Sequence, residues 1–489
     1  MPLGLYISVP FCPAKCSYCN FASGVFSKSA YENYVARVLE DIANSRQLAP
    51  QMGCALGSAS GSSCDDTADS IYLGGGTPSI LDASQLLRIF AALRAQFALA
   101  PDAEITVECA PGTLTPALIE TLLQCGVNRV SLGVQSFVDR EAQSVGRLHK
   151  RTTVLEEIGR LREAGLANIN IDLIAGLPHQ TAESWAFSVS ETIATGVPHV
   201  SVYMLEVDAD SRLGRELIAG GARYHAHFVP DDDATADFYQ QACEMLAAAG
   251  IAQYEISNFA RVTPELQDSE LQNNESRHNL KYWTRQPYLG FGVDAHSMLK
   301  LVEGQASSHV RFATPDSLDA YMNRAPYTVT PVSAQAAIEE SFFLGLRLNR
   351  GIDLKELCVK FGAELGPAGL SRSFMNCHPE RSEGPAVSRE TAKILERRFR
   401  EGHDFSRAIN APEATALAAE ASRVPQPEFS PETVALWESA IQQCLREGLL
   451  EQQGAILRLT ARGRLLSNEV FARFLIEETK VGTGHVNPR

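Results

Sequence analysis

An alternation repeated six times before residue 206 limits how this chain can fold more than any other feature. Short β-branched apolar runs are followed by longer stretches of helical period, the pattern of βα units and therefore of a parallel sheet. The predicted strands are Leu3 to Val9, Ser70 to Leu73, Ile105 to Glu108, Arg129 to Gln135, Ile169 to Ile174 and Val200 to Leu205. Between the second and third, Leu86, Leu87, Phe90, Leu93 and Phe97 recur at spacings of three and four, so Ser84 to Phe97 is a predicted helix. Thr115-Pro116 and Thr181 are expected to start two more, each hydroxyl capping a first turn and the proline fitting the first helical position. A closed barrel of this type has eight units. Six predict an α/β fold, a partial (β/α)6 TIM-like barrel open on one side, with chemistry at the C-terminal ends of its strands.

On this reading residues 1–220 form the partial barrel. A loop insertion at about 46–68 interrupts it, because Gly57 to Ser63 is almost entirely Gly and Ser and cannot bury enough apolar surface to order itself. Residues 221–330 extend the barrel, and 331–489 form a smaller C-terminal domain, mainly helical. Pro431 to Leu450 has an amphipathic helical pattern there, and Ile456 to Thr460 reads as a strand leading into another helix. Dense charge, Pro and Gly at about 366–427 predict a mobile insertion. Its Cys377-His378 pair lacks the second nearby pair that a zinc site requires.

Charge and cysteine usage narrow the function classes. A net charge of -15 over 489 residues opposes accumulation on phosphate backbones or anionic lipid, so neither nucleic acid nor an integral membrane segment is expected. The start MPLGLYISVPFC has no basic region followed by a small-residue cleavage site, which points to a cytoplasmic protein. In that reducing compartment the eleven cysteines are thiols or metal ligands rather than a disulfide framework.

Three of them are grouped. Cys12-x-x-x-Cys16-x-x-Cys19 follows directly on the first strand, which places all three thiolates on one loop at the mouth of the barrel. A structural zinc site takes four closed ligands, and only three are offered locally. Three thiolates on a cubane leave one iron open, where the amine and carboxylate of an amino acid can chelate. S-adenosylmethionine is such a ligand, and its one-electron cleavage gives a carbon radical. The alternative from another class is a cluster that merely braces the N-terminal loop.

The triad, with Tyr18 before its last cysteine, resembles the radical-SAM superfamily motif. Tyr6 to Cys12, Gly74-Gly-Gly-Thr-Pro78, Gly133 to Phe137 and Asp172 to Pro178 together resemble the branch containing oxygen-independent coproporphyrinogen oxidase and the haem chaperones. The resemblance implies a [4Fe-4S] cluster on Cys12, Cys16 and Cys19. It places S-adenosylmethionine against Gly74, Gly75, Gly76 and Thr77 and among Glu108, Gln135, Arg147 and Asp172, with Tyr6 and Tyr18 nearby. Carboxylates suit ribose hydroxyls, and a guanidinium suits a carboxylate. Polar side chains ending apolar strands also need a partner when buried, and a ligand supplies one. No catalytic acid, base or nucleophile is singled out.

Where the oxidase pattern has a fourth cysteine two positions after the third, this chain has Phe21. That departure, with Arg277-His278-Asn-Leu-Lys-Tyr-Trp283, resembles the haem-chaperone subgroup, which implies haem as a further cofactor and a haem-accepting protein as partner. His278 is the hypothetical haem ligand and His296 a second candidate. Tyr and Trp faces can flank a porphyrin, and Arg277, Lys281 and Arg285 can meet its propionates. An electron donor such as a flavodoxin or ferredoxin is implied too. The runner-up is oxidative decarboxylation of coproporphyrinogen III by the same cluster.

Overall fold

The computed structural model describes residues 2–51, 54, 67–262, 274–301, 309–361, 429 and 431–476. The predicted insertion around Gly57 to Ser63 and the Cys377-His378 pair lie outside the described residues. These residues divide into two compact units, one within Met1–Ser333 and the other beginning at Ala334.

All six predicted strands of the first unit are present: β1 (Leu3–Val9), β2 (Thr67–Gly75), β3 (Ala98–Cys109), β4 (Arg129–Gln135), β5 (Ile169–Ala175) and β6 (His199–Met204). They pair in parallel in sequence order, with helices in the connections. Numbered along the chain, the helices are α1 (Lys28–Gln51), α2 (Ala83–Gln96), α3 (Pro116–Gln124), α4 (Asp139–Ser144), α5 (Arg151–Glu163), α6 (Ala182–Thr195), α7 (Arg212–Ala219), α8 (Asp232–Ala248) and α9 (Arg277–Trp283). Their starts follow local chemistry. Thr115 Oγ1 accepts from Leu118 N at 3.2 Å with Pro116 in the first turn, and Thr181 and Ser184 cap each other's backbone reciprocally.

The sheet does not stop at six strands. Past β6 it adds β8 (Asn258–Arg261) and β7 (Ile251–Gln253); beyond β1 it adds β9 (Tyr288–Gly292), β10 (His296–Lys300), β11 (His309–Ala313) and β12 (Thr328–Val332). β9 runs parallel to β1, Tyr6 lying opposite Gly290, so a late segment completes the N-terminal strand. Among the described residues the edges β12 and β7 do not pair with each other, so the barrel is open there.

Parity along the strands separates two environments. Leu3, Leu5, Ile7, Ile71, Leu73, Ile105, Val107, Val130, Leu132, Ile169, Ile171, Val200 and Val202 form the buried apolar layer under the helices. The alternate residues are mostly polar: Ser70 and Tyr72, Glu104 and Glu108, Arg129 and Ser131, Asn170 and Asp172, His199 and Ser201. The barrel lumen is therefore a polar compartment. Its mouth is at the C-terminal strand ends and its floor at the N-terminal ends.

The second unit has the expected helix, Pro431–Arg446, and strand, Ile456–Leu459. It also contains a small sheet in which Ile456–Leu459 lies between Ile352–Asp353 and Leu450–Gln453, all antiparallel. Phe342 stacks on Phe474 at 4.5 Å and lies 6.3 Å from Trp437, so aromatic contacts fill the core between its helices.

Candidate functional site: a thiol loop and a polar pocket at the barrel mouth

The thiol loop leaves β1 at Val9 and is pinned along its length. Cys12 N donates to Gly24 O at 2.8 Å and Gly24 N to Pro10 O at 2.9 Å, closing the segment on itself. Lys15 Nζ donates to the carbonyls of Phe21 (3.1 Å) and Ser23 (2.9 Å). Ser17 N bonds Val145 O at 3.1 Å, and Leu213 N bonds Ser17 O at 2.9 Å, so the loop is tied to those after β4 and β6. Phe11, stacked on Tyr31 at 4.0 Å and edge-on to Tyr34, anchors its start. Cys12 is buried while Cys16 and Cys19 are partly exposed. Among the described residues no three His, Cys, Asp or Glu side chains converge on a single ion. Thiolates that each bind a separate iron of a cubane stand wider apart than the ligands of one ion.

The glycine segment is zipped to this loop. Gly76 N donates to Val9 O and Thr77 N to Phe11 O, both at 2.7 Å. A Cβ on Gly76 would lie 2.6 Å from Phe11 O and 3.0 Å from Cys12 Sγ, so only glycine permits this approach. Gly75 has φ +101, a backbone conformation L side chains rarely adopt, and a Cβ on Gly74 would meet the Glu108 carboxyl at 3.1 Å.

Around the mouth the polar groups are buried and only partly satisfied. Gln135 sits at φ +70, which for a non-glycine costs on the order of 1 kcal/mol. Its Oε1 is buried without a hydrogen-bond partner, and so is Arg147 Nε. Arg147 Nη2 reaches Tyr18 OH only at 3.5 Å, and the guanidinium acts electrostatically on Cys16 and Asp172. Tyr18 packs on the cluster of Val145, Ile174 and Leu177. Asp172 accepts from Ser131 Oγ (3.0 Å) and Asn170 Nδ2 (2.7 Å), yet burial still raises its pKa. Glu108 accepts from Tyr72 OH at 2.8 Å; burial, opposed by that bond and reinforced by Asp172, raises its pKa to about 7. Unpartnered buried acceptors and donors, strained backbone and a glycine cradle beside three thiols are what a polar organic ligand on a cluster requires. The residues fit the group.

Residues 6–189 match the Radical SAM superfamily and residues 332–368 the HemN C-terminal domain. A curated relative from Lactococcus lactis subsp. lactis (strain IL1403), named heme chaperone HemW, is 32% identical over 364 residues, 74% of this chain and 85% of the relative. The chain is a member of the radical-SAM superfamily, in its HemW branch. The HemW relative from Bacillus subtilis (strain 168) is 31% identical over 74% of this chain and 87% of its own. The solved structure titled coproporphyrinogen III oxidase (HemN) from Escherichia coli shares the fold, with TM-score 0.66 and 20% identity over 97% of this chain and 90% of that one. Radical-SAM membership implies a [4Fe-4S] cluster and S-adenosylmethionine.

The structure thus gathers Cys12, Tyr18, Gly74, Gly75, Gly76, Thr77, Glu108, Gln135, Arg147 and Asp172 at the mouth. Tyr6 lies deeper, its ring 6.2 Å from Tyr72. His278 lies at the floor, 1% exposed, with Nδ1 facing Ser70 Oγ at 3.0 Å and Nε2 facing Tyr282 OH at 2.9 Å. The basic residues expected to meet propionates are engaged elsewhere. Lys281 is buried against Asp69 (2.6 Å), Arg277 pairs with Asp102 (2.8 Å), and Arg285 is buried. His296 is half-buried, 3.7 Å from Asp294. Tyr72, which holds Glu108, was missed by sequence reasoning; its signal was the polar parity of Ser70, Tyr72 and Gly74 against Ile71 and Leu73.

Proposed function

We propose that this chain is a haem chaperone: it holds a [4Fe-4S] cluster and S-adenosylmethionine at the barrel mouth, binds haem, and transfers it to an acceptor protein. The observation that carries the reading is Phe21, exposed in the thiol loop where a decarboxylating oxidase has a fourth cysteine, in a chain about 30% identical to several proteins named heme chaperone HemW. Exposed apolar side chains follow the C-terminal ends of three strands, Val25 and Phe26 after β1, Leu148 after β4, and Leu217 and Ile218 in α7. Such side chains suit a flat apolar macrocycle or the protein that receives it.

Cys12, Cys16 and Cys19 would hold the cluster, which when bound supplies the electron that cleaves the sulfonium. The chain's own residues position the substrate of that step. Gly74 to Gly76 would bring backbone close to the amino-acid end, Arg147 would meet its carboxylate, and Glu108 and Asp172 would accept from ribose hydroxyls. A flavodoxin or ferredoxin class donor and a cytoplasmic location complete the proposal; among the described residues no helix is long and apolar enough to cross a membrane.

The test is a haem titration of anaerobically reconstituted protein followed by transfer to an apo-haemoprotein. A shifted Soret band with transfer is expected. Consumption of coproporphyrinogen III with release of carbon dioxide, and no haem binding, would overturn the reading in favour of the oxidase.

A further inference from the structure

We infer that α9 and its cap residue Ser276 are the positioning floor of the S-adenosylmethionine pocket, holding Glu108 from below by way of His278 and Tyr72, and Asp172 by way of Ser276 and the His199 hydrogen-bond chain. The inference rests on the reading above that these two carboxylates face the cofactor.

The helix is locked into the start of the sheet. Its first N–H groups, those of Arg277 and His278, both donate to the Glu104 carboxylate at 3.1 Å, and Ser276 caps it. Lys281, 2% exposed, donates to Pro2 O (3.0 Å) and pairs with Asp69. Gly4 makes the fit possible, since a Cβ there would lie 2.7 Å from Lys281 Cδ and 3.4 Å from the His278 ring. Tyr282 stands edge-on to His278 (5.2 Å) and Tyr288 (4.6 Å), which closes the floor with aromatic surface.

Two routes climb from this floor to the mouth. In the first, the His278 ring stacks on Tyr72 at 5.3 Å, and the Tyr72 hydroxyl bonds Glu108. In the second, the backbone N–H of Ser276 donates to Tyr254 OH (3.2 Å), which meets His199 Nε2 (2.9 Å); His199 Nδ1 meets Asn170 Oδ1 (2.6 Å), and Asn170 Nδ2 donates to Asp172. Each acidic group thought to face the cofactor is reached by one route. Haem iron would need a free imidazole nitrogen, whereas both of His278's are bonded and its ring is enclosed. Burial beside Lys281 and Arg129 lowers its pKa to about 3, so the ring stays neutral and does not act as a switch.

Full-length protein with a reconstituted cluster gives the test, reading S-adenosylmethionine affinity by equilibrium dialysis and haem affinity by Soret titration. Tyr72→Phe should weaken S-adenosylmethionine binding about tenfold, the loss expected for one bond to a charged group, and His278→Ala, which removes the ring that holds Tyr72, should weaken it by a smaller factor, both with iron and sulfide content unchanged. His278→Gln should recover part of the loss, and haem affinity should stay within about twofold throughout. A pH profile separates positioning from general loosening. Glu108 is faced by Tyr72, Tyr6, Tyr203, Tyr282, Asp172, Arg147 and the Gly75 N–H. Its carboxylate takes up a proton as pH falls through about 7, so wild-type affinity declines there; Tyr72→Phe removes a bond that lowers the pKa and moves the decline to higher pH. Lost haem affinity with unaltered S-adenosylmethionine binding in His278→Ala overturns the inference. If that variant does not fold, an unchanged profile in Tyr72→Phe does the same. Wild-type protein that binds no S-adenosylmethionine fails the earlier reading instead.

Discussion

At the mouth of the lumen, Gln135 Oε1 and Arg147 Nε are buried without partners and Gln135 is held at positive φ; at the floor, both nitrogens of His278 and the ammonium of Lys281 are bonded. Both ends are polar and both are enclosed. The difference lies in satisfaction: His278 and Lys281 have protein partners, and Gln135 Oε1 and Arg147 Nε have none. Buried polar groups persist without partners only where the surrounding structure holds them, and such places concentrate at ligand sites. Polarity alone therefore does not locate a site; polarity left unanswered beside the glycine cradle and the thiol loop does.

The contrast is most easily broken at the thiols. Cys12→Ser, Cys16→Ser and Cys19→Ser should each cut bound iron and sulfide by more than about tenfold, measured after anaerobic reconstitution, since each removes a direct ligand. Retention of full iron in any one variant would remove that cysteine from the set. A smaller effect is expected at Gly76, where an added methyl meets Phe11 O and Cys12 Sγ. Gly76→Ala should cost about 1–3 kcal/mol in urea unfolding and displace the thiol loop, lowering S-adenosylmethionine affinity with it. The smallest belongs to the floor's outer edge. Arg277→Ala removes an ion pair whose acidic partner is 72% exposed, so unfolding free energy should change by less than about 1 kcal/mol. A larger loss there would mean that the floor depends on its rim as well as on its enclosed residues.

Much of this was legible in the sequence. The six parallel strands could be read because each buries an unbroken apolar face under helices, which leaves β-branched runs such as Ile169 to Ile174. The thiol triad could be read because ligand spacing is local. The rest depended on which residues meet through space. Tyr72, between Ile71 and Leu73, looks like an ordinary strand residue until its neighbours across the lumen are known. Arg277, Lys281 and Arg285 look like an exposed basic group, yet Lys281 is enclosed where α9 packs against Pro2, Gly4 and Asp69, and Arg285 is buried as well. Ile352–Asp353 is too short to announce a strand and exists because Ile456–Leu459 offers it an edge. Gln135 gave its polarity to the sequence reading, while its left-handed backbone did not follow from its residue type.

The pairing of β9 with β1 has a consequence for how the chain is made. Residues 4–8 find their second neighbour only in residues 288–292, so β1 keeps a free edge until that distant segment has been synthesised. Loop closure over such a separation is slow compared with forming the neighbouring βα units. The thiols that follow this strand therefore stand on an unfinished scaffold until a segment far downstream arrives.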